Sequence, residues 1–461
     1  MKNDKLLMVP ALLATACGTA PAETPQKPNI VFMLADDMGI GDVGCYGQKL
    51  IQTPNIDALA GESMLFTHHY SGSTVSAPSR CCLMTGKHTG HAFVRGNKGE
   101  KTPQGGFDIH LPGSEVTVAE ILKSQGYATA CVGKWGLGGP GTEGSPVNQG
   151  YDYFYGYLSQ GAAHRYYPEY LYENESKDML NGEVYSHFAI MEKGLQFIRD
   201  NAGRPFFTYF AVTTPHADLD YPDFRDYEEA FPETPYINKS KDGKGYMSQP
   251  KPKAAYASMV SEFDRNVGQV IGLLKELGIW ENTILIVSSD NGVHMVGGHD
   301  PDFFDSNGPF RGYKRDLYEG GVRAPFIVSW PEKIHSGCVT DHISAFWDFL
   351  PTVCDIVGAE KPEGIDGISY LPTLTGKGRQ RQHDHIYYEF YEKGGKQSVL
   401  KDGWKLVRLN MSNPEELKEE LYNLNDDPAE ENDLIGKYPA KADRLRRLAT
   451  ECHTESTEFT W

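Results

Sequence analysis

The sequence lacks several features that define whole classes of protein. Only 44 Lys and Arg stand against 62 Asp and Glu, a formal net charge of −18, and this deficit of positive charge argues against binding to nucleic acid. Beyond the amino-terminal segment, no stretch approaches the roughly 20 apolar residues of a membrane span. The sequence also contains no internal repeat and no low-complexity tract. Because 39% of the 461 residues are hydrophobic, we expect a globular chain rather than a disordered one.

Cysteine is scarce and irregularly spaced. The sequence has 8 Cys and no Cys-x-x-Cys pair, so it predicts neither a disulfide framework nor a thiolate zinc site. Most of these residues are expected as small buried apolar side chains. The sequence does not exclude one or two disulfide bridges.

The amino-terminal segment resembles an export signal. Lys2 and Lys5 precede an apolar run over residues 6–14, and small residues stand directly before Cys17, as in a bacterial lipobox. Residues 1–17 are therefore predicted to be a signal peptide, with Cys17 as the lipid-bearing first residue of the mature chain. Ala14 stands where the lipobox pattern usually has Leu. The alternative is ordinary signal-peptide cleavage near this position, without lipidation. We expect a periplasmic protein that contacts a membrane only through this lipid. A position on the cell surface is the alternative.

Short apolar runs alternate with helical patterns over the first part of the chain. Residues 114–126 predict a helix capped by Ser114, and residues 256–277 predict a second helix with a continuous apolar stripe. This alternation predicts an α/β fold, with a mostly parallel sheet between layers of helices and functional residues at the carboxyl ends of its strands. The strands, buried on both faces, are predicted over residues 29–34, 128–132, 205–212, 283–287 and 325–328.

The pattern changes near residues 376–384, which are polar and contain Gly. After them, three short segments separated by tight turns predict an antiparallel meander, and a helix near residues 437–450 would cover one of its faces. We therefore predict a catalytic α/β domain over residues 26–378 and a small carboxyl-terminal α+β domain over residues 379–461. The meander segments are residues 386–390, 397–400 and 404–407.

Polar residues directly follow two of the predicted strands. Asp36 and Asp37 come after the first strand, and Asp290 and Asn291 come after the fourth. Either pair alone is an ordinary helix cap or turn. Two pairs at strand ends instead predict a site for a hard cation such as Ca²⁺ or Mg²⁺, because three carboxylates and an amide oxygen suit these ions and the His or Cys that zinc favours is missing.

The sequence contains a further motif, Ser76-x-Pro78-x-Arg80, in addition to these two pairs and to several short motifs downstream. In order and spacing they resemble the formylglycine-dependent sulfatases of the alkaline-phosphatase superfamily, and the resemblance covers essentially the whole mature chain. It implies an alkaline-phosphatase-like fold and the bacterial type of enzyme that carries Ser at the modified position. The downstream motifs are Gly133-Lys134-Trp135, Thr214-Pro215-His216, Gly312-Tyr313-Lys314 and Glu319 through Arg323.

The resemblance implies a role for each motif residue. Ser76 would be converted to Cα-formylglycine by an anaerobic radical-SAM enzyme, and the hydrated aldehyde would attack sulfur. Arg80 would hold this hydrate, Lys134 and Lys314 would bind sulfate oxygens, and His216 would protonate the departing oxygen. The Ca²⁺ ligands implied are Asp36, Asp37, Ser76, Asp290 and Asn291.

One position departs from the family pattern. Many relatives read Gly-Lys-Trp-His-Leu-Gly, whereas this chain has Gly136 in place of the His. In the family that His helps to deprotonate the formylglycine hydrate, so its role is open here. His88, His91 and His294 are candidates to replace it or to contact substrate.

The substrate is predicted from two further segments. Residues 151–172 hold many aromatic side chains around His164 and Arg165, and residues 299–311 include Asp300 and Arg311. Stacking faces and hydrogen-bonding groups of this kind suit a saccharide pocket. The resemblance is to bacterial carbohydrate sulfatases for galactose or N-acetylgalactosamine sulfate, with the 4-O position preferred over 6-O. The alternatives are a phosphonate monoester or phosphodiester hydrolase on the same scaffold, and a glycan-binding protein whose Ser76 is never converted.

Overall fold

The computed structural model describes residues 27–102, 105–224, 226–240, 245–334 and 337–461. The predicted signal peptide and Cys17 lie outside the described residues. The described strands are β1 (Asn29–Ala35), β2 (Met64–Phe66), β3 (His69–Tyr70), β4 (Gly99–Thr102), β5 (Gly105–Asp108), β6 (Ala128–Lys134), β7 (Tyr153–Tyr157), β8 (Tyr170–Glu173), β9 (Ser176–Met179), β10 (Phe206–Ala211), β11 (Thr283–Ser289), β12 (Phe326–Ser329), β13 (Cys338–Thr340), β14 (Ser344–Ala345), β15 (Ile386–Phe390), β16 (Lys396–Lys401), β17 (Trp404–Leu409) and β18 (Lys418–Asn423). The described α-helices are α1 (Pro54–Gly61), α2 (Ser76–Thr85), α3 (Val118–Ser124), α4 (Ser186–Asn201), α5 (Pro252–Glu276), α6 (Pro301–Phe304), α7 (Glu319–Val322), α8 (Phe349–Val357), α9 (Leu371–Thr375) and α10 (Pro439–Glu451).

Within these ranges, ten strands form one mixed sheet in the order β13-β2-β12-β11-β1-β10-β6-β7-β8-β9. The central strands, from β11 to β7, pair in parallel, and antiparallel pairs flank them on both sides. All five predicted strands lie in this sheet, so the predicted α/β fold is confirmed. The carboxyl ends of β1, β6, β10 and β11 consequently meet at one edge.

Strand β1 shows why the apolar runs are continuous. Its residues are all buried, and alternate side chains enter different hydrophobic clusters: Phe32 packs on one face of the sheet and Met33 on the other. Helices α2, α3 and α8 contribute to the first cluster, and α4 and α5 contribute to the second. A strand covered by helices on both faces has no solvated side and therefore no polar alternation.

Two predicted helix starts need correction. The cap of α3 is Thr117 rather than Ser114, because Thr117 and Glu120 form a capping box: the Thr117 hydroxyl accepts the Glu120 N–H, and the Glu120 carboxylate accepts the Thr117 N–H at 2.8 Å. Helix α5 begins at Pro252, about a turn before the predicted residue 256. Proline suits this first position because its missing N–H would be unpaired there in any case.

The carboxyl-terminal sheet contains β15, β16, β17 and β18 as an antiparallel meander. Strand β18 was not predicted as part of it. Helix α10 covers one face, where Leu445 and Ala449 pack against Val399 and Leu406. The predicted boundary falls between α9 and β15, and the division into two domains stays a prediction.

The seven cysteines that the structure describes are all free thiols. None of them forms the disulfide bridge that the sequence left open. Among the described helices, none has the length and apolar character needed to cross a membrane.

Candidate active site

The carboxyl ends of β1 and β11 bring Asp36 and Asp37 together with Asp290 and Asn291. The Asp290 N–H donates to the Ala35 carbonyl at 3.1 Å, the Asp37 N–H donates to Asp290 Oδ1 at 3.1 Å, and Asn291 Nδ2 donates to Asp37 Oδ1 at 2.7 Å. Asp37 has a φ of 64°, a conformation that Asp tolerates better than most residues. All four side chains, from Asp36, Asp37, Asp290 and Asn291, are fully buried.

The charges of this cluster are balanced by two lysines. Burial opposes the charged form of Asp36, but the Lys134 ammonium at 2.7 Å holds the pKa of Asp36 well below its usual range. Burial likewise opposes ionisation of Asp37, and Lys314 at 2.7 Å outweighs it, so the pKa of Asp37 is also lowered. Burial together with repulsion from Asp36 raises the pKa of Asp290 to about 6. The third carboxylate, that of Asp290, forms an ion pair with the Arg80 guanidinium at 2.9 Å.

The donor set fits a hard cation. Asn291 Oδ1 is buried and has no hydrogen-bond partner among the described residues, although buried acceptors are almost always paired. Ligand atoms of Asp36, Asp37 and His216 lie within 4.8 Å of one another. Asp36, Asp37, Asp290 and Asn291 could hold Ca²⁺ or Mg²⁺, because oxygen ligands of this kind and number suit both ions.

Ser76 is the first residue of α2 and lies against this cluster. Its hydroxyl donates to Asp36 Oδ1 at 3.0 Å and lies 3.2 Å from Lys134 Nζ, which donates to it. Arg80 is one turn further along α2, on the same face because residues i and i+4 align in a helix. It donates to Asp290 Oδ2 at 2.9 Å and to the Lys134 carbonyl at 2.8 Å. Pro78 falls within the first helical turn, where a missing N–H costs no hydrogen bond.

His216 follows β10 and faces the same cluster. Its Nδ1 contacts the Ala217 carbonyl, which can only accept, so Nδ1 carries the proton and Nε2 is the acceptor. His216 Nε2 lies 3.1 Å from Lys314 Nζ and 3.2 Å from Asp37 Oδ2. Burial lowers the pKa of His216 well below its usual value, although the Asp37 carboxylate opposes this. The structure therefore places a neutral imidazole beside a charged ammonium.

Two of the predicted substrate residues lie beside His216. The His164 ring stacks on the His216 ring with centroids 4.7 Å apart, and burial, followed by the nearby Lys134, lowers the pKa of His164 to about 4. Arg165 forms an ion pair with Asp218 and donates to the Gly245 carbonyl at 2.9 Å. These residues bring the segment around 164 to the edge of the site.

Of the other predicted substrate residues, His294 also lies beside His216, with ring centroids 5.8 Å apart, whereas Asp300 and Arg311 are engaged elsewhere. His294 is buried, and both of its ring nitrogens contact backbone: Nε2 lies 3.2 Å from the Pro215 carbonyl, and Nδ1 accepts the Val296 N–H. Asp300 caps α6 and forms an ion pair with Lys253 at 3.3 Å. Arg311 reaches the carboxyl-terminal sheet, where it donates to Tyr422 Oη at 3.0 Å and to the Glu430 carbonyl at 2.8 Å.

His88 and His91 lie beyond the far end of α2 and contact Asp366. A helix of this length spans roughly 15 Å, so their nearness to Ser76 in the sequence does not bring them to its hydroxyl. Gln160, which follows β7, was not predicted and packs against Gly136. No local motif marks Gln160, because the contact joins residues that are distant in the sequence.

The sulfatase family model matches residues 28–359, well over half of the chain. The chain belongs to the sulfatase family. A second family model, of the carboxyl-terminal part of N-sulphoglucosamine sulphohydrolase, matches residues 308–455. This sulfatase is a sulfuric ester hydrolase of the type I class in the alkaline-phosphatase superfamily, as the motifs predicted.

Named relatives of this sulfatase extend over most of its length. N-acetylgalactosamine-6-sulfatase from Canis lupus familiaris is 32% identical over 407 residues, which cover 82% of this chain and 71% of that protein. N-acetylglucosamine-6-O-sulfatase from Bacteroides thetaiotaomicron is 26% identical, and the match covers 97% of this chain and 90% of that protein. The crystal structure of Ps i-CgsB in complex with k-i-k-neocarrahexaose has a TM-score of 0.77 and 27% identity, and covers 94% of this chain and 95% of that one.

Proposed function

We propose that this sulfatase hydrolyses an O-sulfate ester of a glycan, with galactose sulfate or N-acetylgalactosamine sulfate as its substrate. The observation that carries the proposal is the position of the Ser76 hydroxyl, 3.0 Å from Asp36 and 3.2 Å from Lys134 inside a buried, oxygen-rich cluster. Names of relatives that specify carbohydrate sulfates support the substrate class. For the position, these names support 6-O rather than the 4-O position preferred in the sequence analysis.

The chemistry starts at Ser76. An unmodified serine hydroxyl is a weak nucleophile, and conversion of Ser76 to Cα-formylglycine would supply a hydrated aldehyde with two hydroxyls on one carbon. Asp36, Asp37, Asp290 and Asn291 would hold a Ca²⁺, whose positive charge would supply polarisation of the sulfate group and a more acidic attacking hydroxyl. Lys134 is positioned beside Ser76 to bind a sulfate oxygen, and Arg80 orients Asp290 through its 2.9 Å hydrogen bond.

His216 and Lys314 act on the leaving-group side. His216 is neutral at Nε2, so it must gain a proton there before it can protonate the sugar oxygen. The Lys314 ammonium donates a hydrogen bond to that atom at 3.1 Å. Burial opposes its charge, but the Asp37 carboxylate outweighs burial and raises the pKa of Lys314, so Lys314 keeps its proton and would bind a sulfate oxygen. Nε2 of His216 would take up a proton from solvent, and the imidazolium would donate that proton to the leaving oxygen as the ester bond breaks, which is general acid catalysis.

The proposal includes the maturation and the location of the protein. Ser rather than Cys at position 76 supports conversion by an anaerobic radical-SAM enzyme. The lipobox-like residues before Cys17 support export to the periplasm with a lipid anchor, with the cell surface as the other place it could face.

The test is hydrolysis of defined sugars by protein co-expressed with the maturation enzyme. Galactose and N-acetylgalactosamine, each sulfated at 4-O or 6-O, are compared with glucosamine sulfates and with aryl sulfate and aryl phosphonate esters. We expect the galacto-configured sulfates to have the highest kcat/KM. Faster turnover of the phosphonate would overturn the assignment. Tight binding of the sulfated sugars without hydrolysis, by protein carrying converted Ser76, would favour a glycan-binding role instead.

A further inference from the structure

The side-chain amide of Gln160 fills the space beside Gly136. A Cβ built on Gly136 would lie 1.9 Å from Gln160 Nε2, and Gly136 has a φ of 74°. Both the contact and the backbone conformation favour glycine at this position. The position at which many relatives carry His therefore has no side chain of its own here, and an amide from another loop occupies the space.

The Nε2 atom of Gln160 is buried and unpartnered among the residues that the structure describes. Its residue is 7% exposed, and Nε2 forms no hydrogen bond within the described part of the chain. The backbone of Gln160 is nevertheless fixed, since its N–H donates to the Asp108 carboxylate. A buried donor left unpaired is costly, so this N–H is expected to bind an acceptor that enters with the substrate.

The loop carrying Gln160 is tied to the active site on both sides. Before it, the Leu158 carbonyl accepts the Gly136 N–H at 3.2 Å, two residues after Lys134. After it, His164 stacks on His216. Gln160 thus lies between two contacts with the active site. On one side is the segment of Lys134, which donates to Ser76. On the other side is His164, whose ring partner His216 lies beside Asp37.

We propose that Gln160 Nε2 donates a hydrogen bond to an oxygen of the bound sulfate group. The inference rests on the proposed function and identifies a further binding residue for the same site. A neutral amide adds a donor without adding positive charge, which suits a sulfate ester with its single negative charge. Because an amide does not titrate near neutral pH, Gln160 binds sulfate and takes no part in proton transfer.

The test measures by calorimetry the affinity for inorganic sulfate of the wild-type protein and of its variants. All proteins are used in the calcium-loaded form with unconverted Ser76. Gln160→Met retains volume and removes the donor, and is expected to weaken sulfate binding about tenfold or more, as for a lost hydrogen bond to a charged group. Gln149→Met is the matched control, because Gln149 is fully buried and its Nε2 donates to the Glu143 carbonyl outside the site. It should lower thermal stability and leave sulfate affinity unchanged.

Gln160→Glu provides a second readout that a structural role would not change. Its carboxyl group should donate to sulfate when protonated and repel sulfate when ionised, so the affinity of Gln160→Glu relative to wild type should rise as pH falls. Wild-type affinity in Gln160→Met, a flat relative profile in Gln160→Glu, or no sulfate binding by wild type would each overturn the inference. Inorganic sulfate is the probe, so a wrong assignment of the sugar would leave this result unaffected.

Discussion

The Ser76 hydroxyl and the Lys134 ammonium lie 3.2 Å apart and contact the same carboxylate, that of Asp36. Ser76 begins α2 and Lys134 ends β6, so the end of a parallel strand and the start of a helix meet at one group. Burial lowers the pKa of Lys134, and the ion pair with Asp36 opposes that shift. The cation beside Ser76 is therefore maintained by the carboxylate that also orients the hydroxyl.

Lys134→Ala should reduce kcat/KM about 10²–10³-fold, because it removes a preorganised donor from the sulfate site. The measurement is the rate of aryl sulfate hydrolysis by matured protein. Lys123→Ala is the control, since Lys123 forms a largely exposed ion pair with Asp152 at 2.9 Å on the surface, and such pairs contribute little. An equal loss in both variants would contradict the role given to Lys134.

His216→Ala should reduce hydrolysis of a sugar sulfate about 10²–10⁴-fold. The loss should be much smaller with an aryl sulfate, whose leaving oxygen needs little protonation. The measurement is kcat/KM for both substrates, with His91→Ala as the control, since His91 contacts Asp366 and stacks on His88 beyond the far end of α2. Identical losses on the two substrates would remove His216 from the leaving-group side.

Calcium should raise the unfolding temperature of the protein, because a ligand that binds only the folded state stabilises it. Asn291→Ala should reduce this shift, since it removes the buried and unpartnered Oδ1. Asn201→Ala is the matched control: Asn201 is also buried, and its amide donates to the Phe197 carbonyl far from the cluster. A calcium shift as large in Asn291→Ala as in wild type would contradict the predicted ligand set.

The sequence predicted that Asp36 and Asp290 would meet, because each follows an apolar run whose carboxyl end must lie at the same edge of a parallel sheet. Lys134 was predicted only from the motif that resembles the sulfatases. Contacts between distant segments carry no such mark. Arg311 joins the carboxyl-terminal sheet and Gln160 reaches Gly136 through packing that no local pattern reports.

Proximity in the sequence was misleading where a helix intervenes. His88 follows Ser76 closely along the chain, but α2 separates the two by its own length. The cap of α3 shows the same limit at short range. Ser114 and Thr117 are both acceptable caps by residue type, and only the partner Glu120, three residues after Thr117, decides between them.

Asp42 should make stability depend on pH. Its carboxylate accepts hydrogen bonds from the Gly39 N–H, Ser306 Oγ and Tyr256 Oη, yet burial raises the pKa of Asp42 to about 7. The folded protein then binds a proton more tightly than the unfolded chain. Asp42 thus stabilises most below about pH 4, and this contribution is lost as pH rises toward 7.

The measurement is the free energy of unfolding by denaturant between pH 4.5 and 7.5. Wild type should lose on the order of 1 kcal/mol or more relative to Asp42→Asn over that range. Parallel pH profiles for the two proteins would show that Asp42 is ionised throughout.

The central claim is that the residue at position 76 becomes the nucleophile. The most direct test uses a series of preparations made with different amounts of maturation enzyme. For each preparation, peptide mass spectrometry gives the fraction of Ser76 that has been converted to formylglycine, and an assay gives the specific activity on a sulfated sugar. We predict that activity rises in proportion to the converted fraction and is absent when Ser76 is unconverted. Undiminished hydrolysis by unconverted protein, or by Ser76→Ala, would contradict the account.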